Sequence, residues 1–438
     1  MAQNRRTTAP LVALGAFALL APLAIPGTVS ADTTWLAQDL SSTDRIGLAL
    51  DSGKLRLDTG KGLGASPRLD TAQRRTGLAT FPEQELEAPT DTVDVAVITT
   101  GDEEEVLTEA RGVRADGMWT EWHPTRPGGG RVVLSSEVTE VQLRVEMSAE
   151  GERNDTSVTD VSLRPVESSS TEAEAEADPG PEASARDDVP TPYSARLFAT
   201  RIGLVGNTTA NGHTVRPDDH FVALPSRRGL ANRGGGEYTV RVCTTGELGP
   251  DASGDTEDHK ARCAYLPVWD VGPWNVTDDH WNEDRESWRD LDRGRPQSQA
   301  AFTEGHNGGL DGFGRRVQNP AGIDLADGAF NEGLQLPTNG WVQVDYLWTA
   351  EYRDRAEIIT DTQSDPVVVR TGPSTHHDTV GLAAHKANVD VACQVVGDNA
   401  NGPNGTDDVW YRIGEDHYVP AVFASGGSDA PQCLADQP

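Results

Sequence analysis

The segment 167–190 (ESSSTEAEAEADPGPEASARDDVP) divides this chain before any fold can be assigned to it. It holds no Leu, Ile, Met or aromatic side chain, and its charges are almost all negative. Such a stretch buries too little surface to offset the entropy lost on ordering, and its like charges extend it. It reads as a flexible acidic linker with separate folding units on either side.

Upstream of the linker, residues 32–166 show apolar side chains at every second position. Val93, Val95 and Val97 share one face, as do Val141, Leu143 and Val145, and then Val161 and Leu163. Turn residues separate these runs, and no amphipathic helix appears, so a β-sandwich is expected. Within Gly117-Met118-Trp119-Thr120-Glu121-Trp122, two indoles lie three residues apart. On a strand that spacing points them to opposite faces. At least one is expected in the core, and stacking on a sugar ring is the other use open to the pair.

Downstream, residues 191–352 carry six of the ten tryptophans. Strands are expected at Leu197–Leu204, Tyr238–Cys243, Ala264–Trp269 and Trp341–Trp348. The polar stretch 276–320 is expected to hold a short helix, with Trp281, Trp288 and Leu291 on one face. Those indoles then pack on the barrel or, alternatively, form a saccharide platform. Residues 360–425 form a third β unit, and 426–438 a tail. There is no internal repeat. The expected fold class is all-β and multidomain.

Arg5 and Arg6 precede an apolar run from Ala9 to Ile25, followed by small residues ending at Ala31. This pattern reads as a signal peptide over 1–31, too short in its apolar core for a membrane span. No second run of spanning length follows, so a secreted protein, extracellular or wall-associated, is expected. Four cysteines then suggest two disulfides. Of the three connectivities, Cys243–Cys263 with Cys393–Cys433 keeps each bridge local. Their spacing is not that of a zinc site, and neither a metal nor a cofactor is expected. A formal charge of −32 repels nucleic-acid phosphates and argues against that partner class. No feature indicates an oligomeric state.

Five motifs follow one another in the middle unit: TANGH (Thr209–His213), DDHFVALP (Asp218–Pro225), LPVWDVGPWN (Leu266–Asn275), AGIDLADGAFNEGL (Ala321–Leu334) and GWVQVDYLW (Gly340–Trp348). Their order resembles the double-psi β-barrels of rare lipoprotein A, expansins and related wall-active proteins. The resemblance implies a barrel over 191–352 that engages peptidoglycan or another wall polysaccharide.

Asp270 ends an apolar strand beside Trp269 and Trp274, so its pKa should rise through partial desolvation. A raised pKa suits a general acid for a glycosidic oxygen; the other use open to Asp270 is to accept backbone N–H bonds. His220 matches the family's histidine and would assist catalysis, or is a satisfied turn residue. Trp269, Trp274, Asp324 and His213 are the substrate-binding candidates, with Asp324 read first as a cap at the start of a helix. His213 stands where the family has a glutamate, which puts lytic activity in doubt. Family-45 endoglucanases share this barrel and take a second aspartate from the first strand. The matching run here (LFATRIGLVG) has no acid, so inverting hydrolysis is disfavoured.

The run PVVVRTGPSTHHDTVGLA (Pro366–Ala383), with VDVACQVVG and DVWYRIGEDHYVPAVF after it, resembles a bacterial Src-homology-3 domain. Val368 replaces the usual asparagine. The resemblance implies a small barrel over 360–425 that binds wall components. Trp410 and Tyr418 are read as barrel core, with a binding groove as the alternative. The function expected from all of this is wall binding or loosening without cleavage. A lytic transglycosylase using Asp270 is the main alternative, and a barwin-like protease inhibitor a lesser one.

Overall fold

Alternation of apolar and polar residues builds strands throughout the computed structural model, which describes residues 34–58, 63–64, 74–151, 155–166, 191–254 and 259–434. The expected leader (1–31) and linker (167–190) lie outside the described residues. The fold class is all-β, with barrels.

The N-terminal unit is an antiparallel sheet of eleven strands around one core. Two long strands, Gln84–Thr100 and Gly129–Glu150, carry it. The second pairs with Gln84–Thr100 along its first half. Its second half pairs with Val106–Val113 on one side and Arg74–Thr80 on the other. Val93, Val95, Val97, Val141, Leu143, Val145, Val161 and Leu163 all reach the shared core.

The middle unit has six strands: β1 (Tyr193–Arg201), β2 (Val222–Leu224), β3 (Thr239–Leu248), β4 (Cys263–Val271), β5 (Ala321–Leu325) and β6 (Gly340–Tyr346). They pair in the circuit β2-β5-β1-β6-β3-β4 and back to β2, so the barrel is closed. Two of its pairs, β1 with β5 and β2 with β4, run parallel. Closure leaves no exposed edge within the circuit, and its inward Val, Leu and Ile side chains form one buried cluster.

Two expectations are corrected here. The helix of the polar stretch spans Gln297–Glu304, and Trp281, Trp288 and Leu291 are not on it. Residues 276–296 instead fold as an irregular loop around the buried Arg285, whose guanidinium pairs with Asp278 and donates to the carbonyls of Leu291, Asp292 and Arg295. A guanidinium has five donors, and a curved loop supplies acceptors that a helix keeps for itself. The helical spacing of the three side chains is therefore coincidental. Asp324, expected at a helix start, lies within β5, and helical turns begin only at Asp327.

The C-terminal unit places Thr379–Ala383, Val367–Arg370, His417–Pro420, Gly405–Gly414 and Cys393–Gly402 side by side. Arg355–Ile358, ahead of the expected boundary, pairs with Asn388–Asp390 and Ala424–Gly426. This unit is not a separate bead. Cys263–Tyr265 of β4 pairs in parallel with Gly381–Ala383, so one sheet runs from the barrel into it. Both disulfides join the expected partners: Cys243–Cys263 bridges β3 to β4, and Cys393–Cys433 ties down the tail.

The sandwich also packs on the barrel. Alternate residues of Gly129–Glu150, namely Gln142, Arg144 and Glu146, are polar yet buried. Gln142 accepts from Asn232, and Arg227 pairs with Glu146. Arg144 pairs with Glu109 and lies over the ring of Trp122. Trp122 in turn donates to the Leu230 carbonyl. The described residues from Trp35 onward form one contiguous body. Among the described residues, no helix is long and apolar enough to cross a membrane.

Candidate functional site

Register brings the acidic candidates together. Ala223 of β2 pairs with Asp270 of β4 on one side and with Asp324 of β5 on the other. Asp324 pairs in turn with Thr200 of β1. Thr200, Asp324, Ala223 and Asp270 thus form a row across four adjacent strands. With strands spaced about 4.8 Å apart, the two aspartate backbones are roughly 10 Å from each other.

Both carboxylates are sunk in the barrel: Asp270 is 4% exposed and Asp324 is 3% exposed. Oδ1 of Asp270 accepts the backbone N–H of Ala210 at 2.8 Å and that of Val271 at 2.9 Å. The first of these bonds ties the TANGH turn to the end of β4. Burial nonetheless pushes the Asp270 carboxyl up to about 7; the two backbone donors oppose the shift, and the nearby Asp324 adds to it. The hydroxyl of Thr200 donates to Oδ1 of Asp324.

Beside this row lies a groove of about 470 Å³, within the size range of ligand sites. Thr200 and Asn339 form one wall, and Pro273, Trp274, Arg315, Arg316, Gln318 and Asn319 complete the lining. Trp274 reaches it from a left-handed backbone conformation (φ 67°), sparsely populated for a bulky residue. Its indole donates to Asn319 at 3.1 Å, and Arg315 donates to its carbonyl at 2.8 Å. Arg315 pairs with Asp311, whereas Arg316 is exposed and has no ion-pair partner among the described residues.

The remaining candidates sit apart from this groove. Trp269 is 1% exposed, packs in the barrel core and donates to the Gly235 carbonyl. His213 lies tilted against Trp269, with ring centroids 4.8 Å apart, and its Nε2 contacts Asp219. His220 is buried, makes no hydrogen bond to Asp270, and lies 3.7 Å from Glu332. Burial holds its pKa below the usual histidine value. In the C-terminal unit, Trp410 is fully buried and donates to the Asp398 carbonyl.

Sequence reasoning did not single out Thr200, Arg315, Arg316, Gln318, Asn319 or Asn339. Thr200 had a usable signal: it lies in LFATRIGLVG, the run searched for a second acid. The groove's other polar residues come from long loops, where spacing carries no facing information.

Residues 193–345, about a third of the chain, match the family model of a domain of unknown function (DUF8814). The match begins at the first residue of β1 and ends within β6. No curated protein matches the chain.

Proposed function

We propose that this is a secreted, wall-associated protein whose barrel, similar to that of rare lipoprotein A, binds peptidoglycan or a related wall polysaccharide without cleaving it. In this reading the C-terminal unit is a Src-homology-3-like anchor. The observation that carries it is the separation of groove from acid. Trp274 and a set of amide and guanidinium groups line the open groove, while Asp270 is buried outside that lining with one oxygen engaged by two backbone N–H groups. An indole with planar polar side chains around it suits sugar rings and their hydroxyls. The two disulfides fit an oxidising compartment outside the cell.

The test is co-sedimentation of the full chain with purified peptidoglycan sacculi. Binding that Trp274→Ala weakens at least about tenfold supports the reading. Failure of the wild type to sediment, or equal binding by the variant, overturns it.

One observation favours the catalytic alternative. Asp270 keeps its proton to about pH 7, as a general acid must. Mass spectrometry of the same incubations decides between the two. Anhydro-sugar products from the wild type, lost in Asp270→Asn, establish a lytic transglycosylase. Absence of products leaves the binder.

A further inference from the structure

A cleft of about 980 Å³ lies outside the barrel groove, at the junction of sandwich and barrel. One wall is the turn that carries Trp119, together with the strand through Ser136; the other comes from barrel residues around Trp348. The volume is at the upper end of ligand-binding clefts.

The charges on its walls exclude one ligand class. All three lining guanidiniums are already engaged: Arg114 by Asp116 and the carbonyls of Trp348 and Ala350, Arg228 by Glu121 and Asp279, and Arg293 by Glu283 and the Trp281 carbonyl. Glu121 is likewise spent, accepting from the indoles of Trp281 and Trp348 and from Asn282. No positive charge is left over for a polyanion.

What remains unspent is of a different kind. Trp119 is half-buried on the cleft wall; the Arg111 guanidinium lies 4.1 Å from its ring centroid, and its indole N–H has no partner among the described residues. Glu137 and Glu351 are exposed and have no partner among those residues. An aromatic ring with a free indole N–H, on a lining that also carries two unpaired carboxylates and no surplus cation, matches the apolar face and hydroxyl edge of a sugar. We propose that this junction cleft is a second glycan-binding site, independent of the barrel groove, which takes an uncharged polysaccharide chain with Trp119 stacked on a sugar ring.

Isothermal titration calorimetry of the full chain tests this, using hexamers of β-1,4-linked N-acetylglucosamine and of β-1,4-linked glucose, with polygalacturonate as the anionic probe. At least one neutral hexamer is expected to bind and polygalacturonate is not. Trp119→Ala should weaken the neutral hexamer at least about tenfold, while Trp274→Ala leaves it unchanged at this site. The exposed double variant Glu137→Gln/Glu351→Gln, which disturbs no packing, should weaken it about threefold or more. It decides the matter if circular dichroism shows Trp119→Ala misfolded. Binding of neither hexamer overturns the proposal, as does wild-type affinity in folded Trp119→Ala or in the double variant, or binding lost only in Trp274→Ala.

Discussion

Asp270 shows two opposed forces on one carboxyl group. Two backbone N–H donors favour the charged form, and removal from water disfavours it. Burial prevails and raises the pKa from 3.8 to about 7. A carboxyl whose pKa is higher in the folded state stabilises that state most at low pH, below its unfolded value. The contribution is lost as pH rises through about 4 to 7. Asp278, raised to about 6, and Glu286, raised to about 7, act in the same direction, whereas the buried His123 and His280, lowered to about 3, and His417, lowered to about 4, act in the opposite one, so the Asp270 contribution is read from a variant rather than from the wild type alone. Asp270→Asn keeps an oxygen for Ala210 and Val271 but does not titrate. Its melting temperature relative to wild type should therefore climb between pH 4 and 7 and level off above. The full effect is on the order of 4 kcal/mol as an upper limit. A difference that stays flat across that range contradicts the assignment.

A single strand carries two burials. On Gly129–Glu150 the residues Val141, Leu143 and Val145 fill the sandwich core, while Gln142, Arg144 and Glu146 between them are covered by the barrel. Arg144 pairs with the buried Glu109 at 2.7 Å and lies 4.2 Å from the Trp122 ring centroid. Arg144→Ala leaves Glu109 buried and unpaired, at a cost of roughly 3–5 kcal/mol, to be read from the shift in guanidinium unfolding midpoint. A change below about 1 kcal/mol would show that the pair is dispensable. In the barrel, the Cys243–Cys263 bridge closes a loop of 20 residues between adjacent strands. Replacing both cysteines with alanine should lower stability by roughly 3 kcal/mol in the same assay, since the unfolded chain regains that loop's freedom. Unchanged stability would mean the β3–β4 pairing alone holds the loop.

Charged contacts and a shared sheet make one body of three units. The sandwich is bound to the barrel through Arg111–Glu237, Arg227–Glu146 and Arg228–Glu121 as well as by Trp122. The barrel passes its sheet to the C-terminal unit through β4. A protease cut within 167–190 should therefore leave two fragments that still co-elute in size-exclusion chromatography. Calorimetry of the uncut chain should show one unfolding transition, and fragments that separate after the cut would disprove the docking. Residues 167–190 separate the two sides in covalent sequence, while the described residues on either side pack together.

Period-two alternation, turn residues and local cysteine spacing belong to short stretches of chain. Those features were therefore legible without coordinates: the all-β class, the sandwich core at Val93–Val97 and Val141–Val145, and both disulfides. The upward direction of the Asp270 pKa was legible from its place at the end of an apolar strand, although burial as a whole, rather than contact with the flanking indoles, is its cause. The row of Thr200, Asp324 and Asp270 was not, since it depends on strand register between segments more than a hundred residues apart at its extremes. The sheltering of Gln142, Arg144 and Glu146 was equally hidden: an alternating strand gives the same pattern whether its polar face meets water or another unit's charges. Both sites with open walls are built from loops and from the seam between units, so tertiary packing alone decided where a ligand can reach.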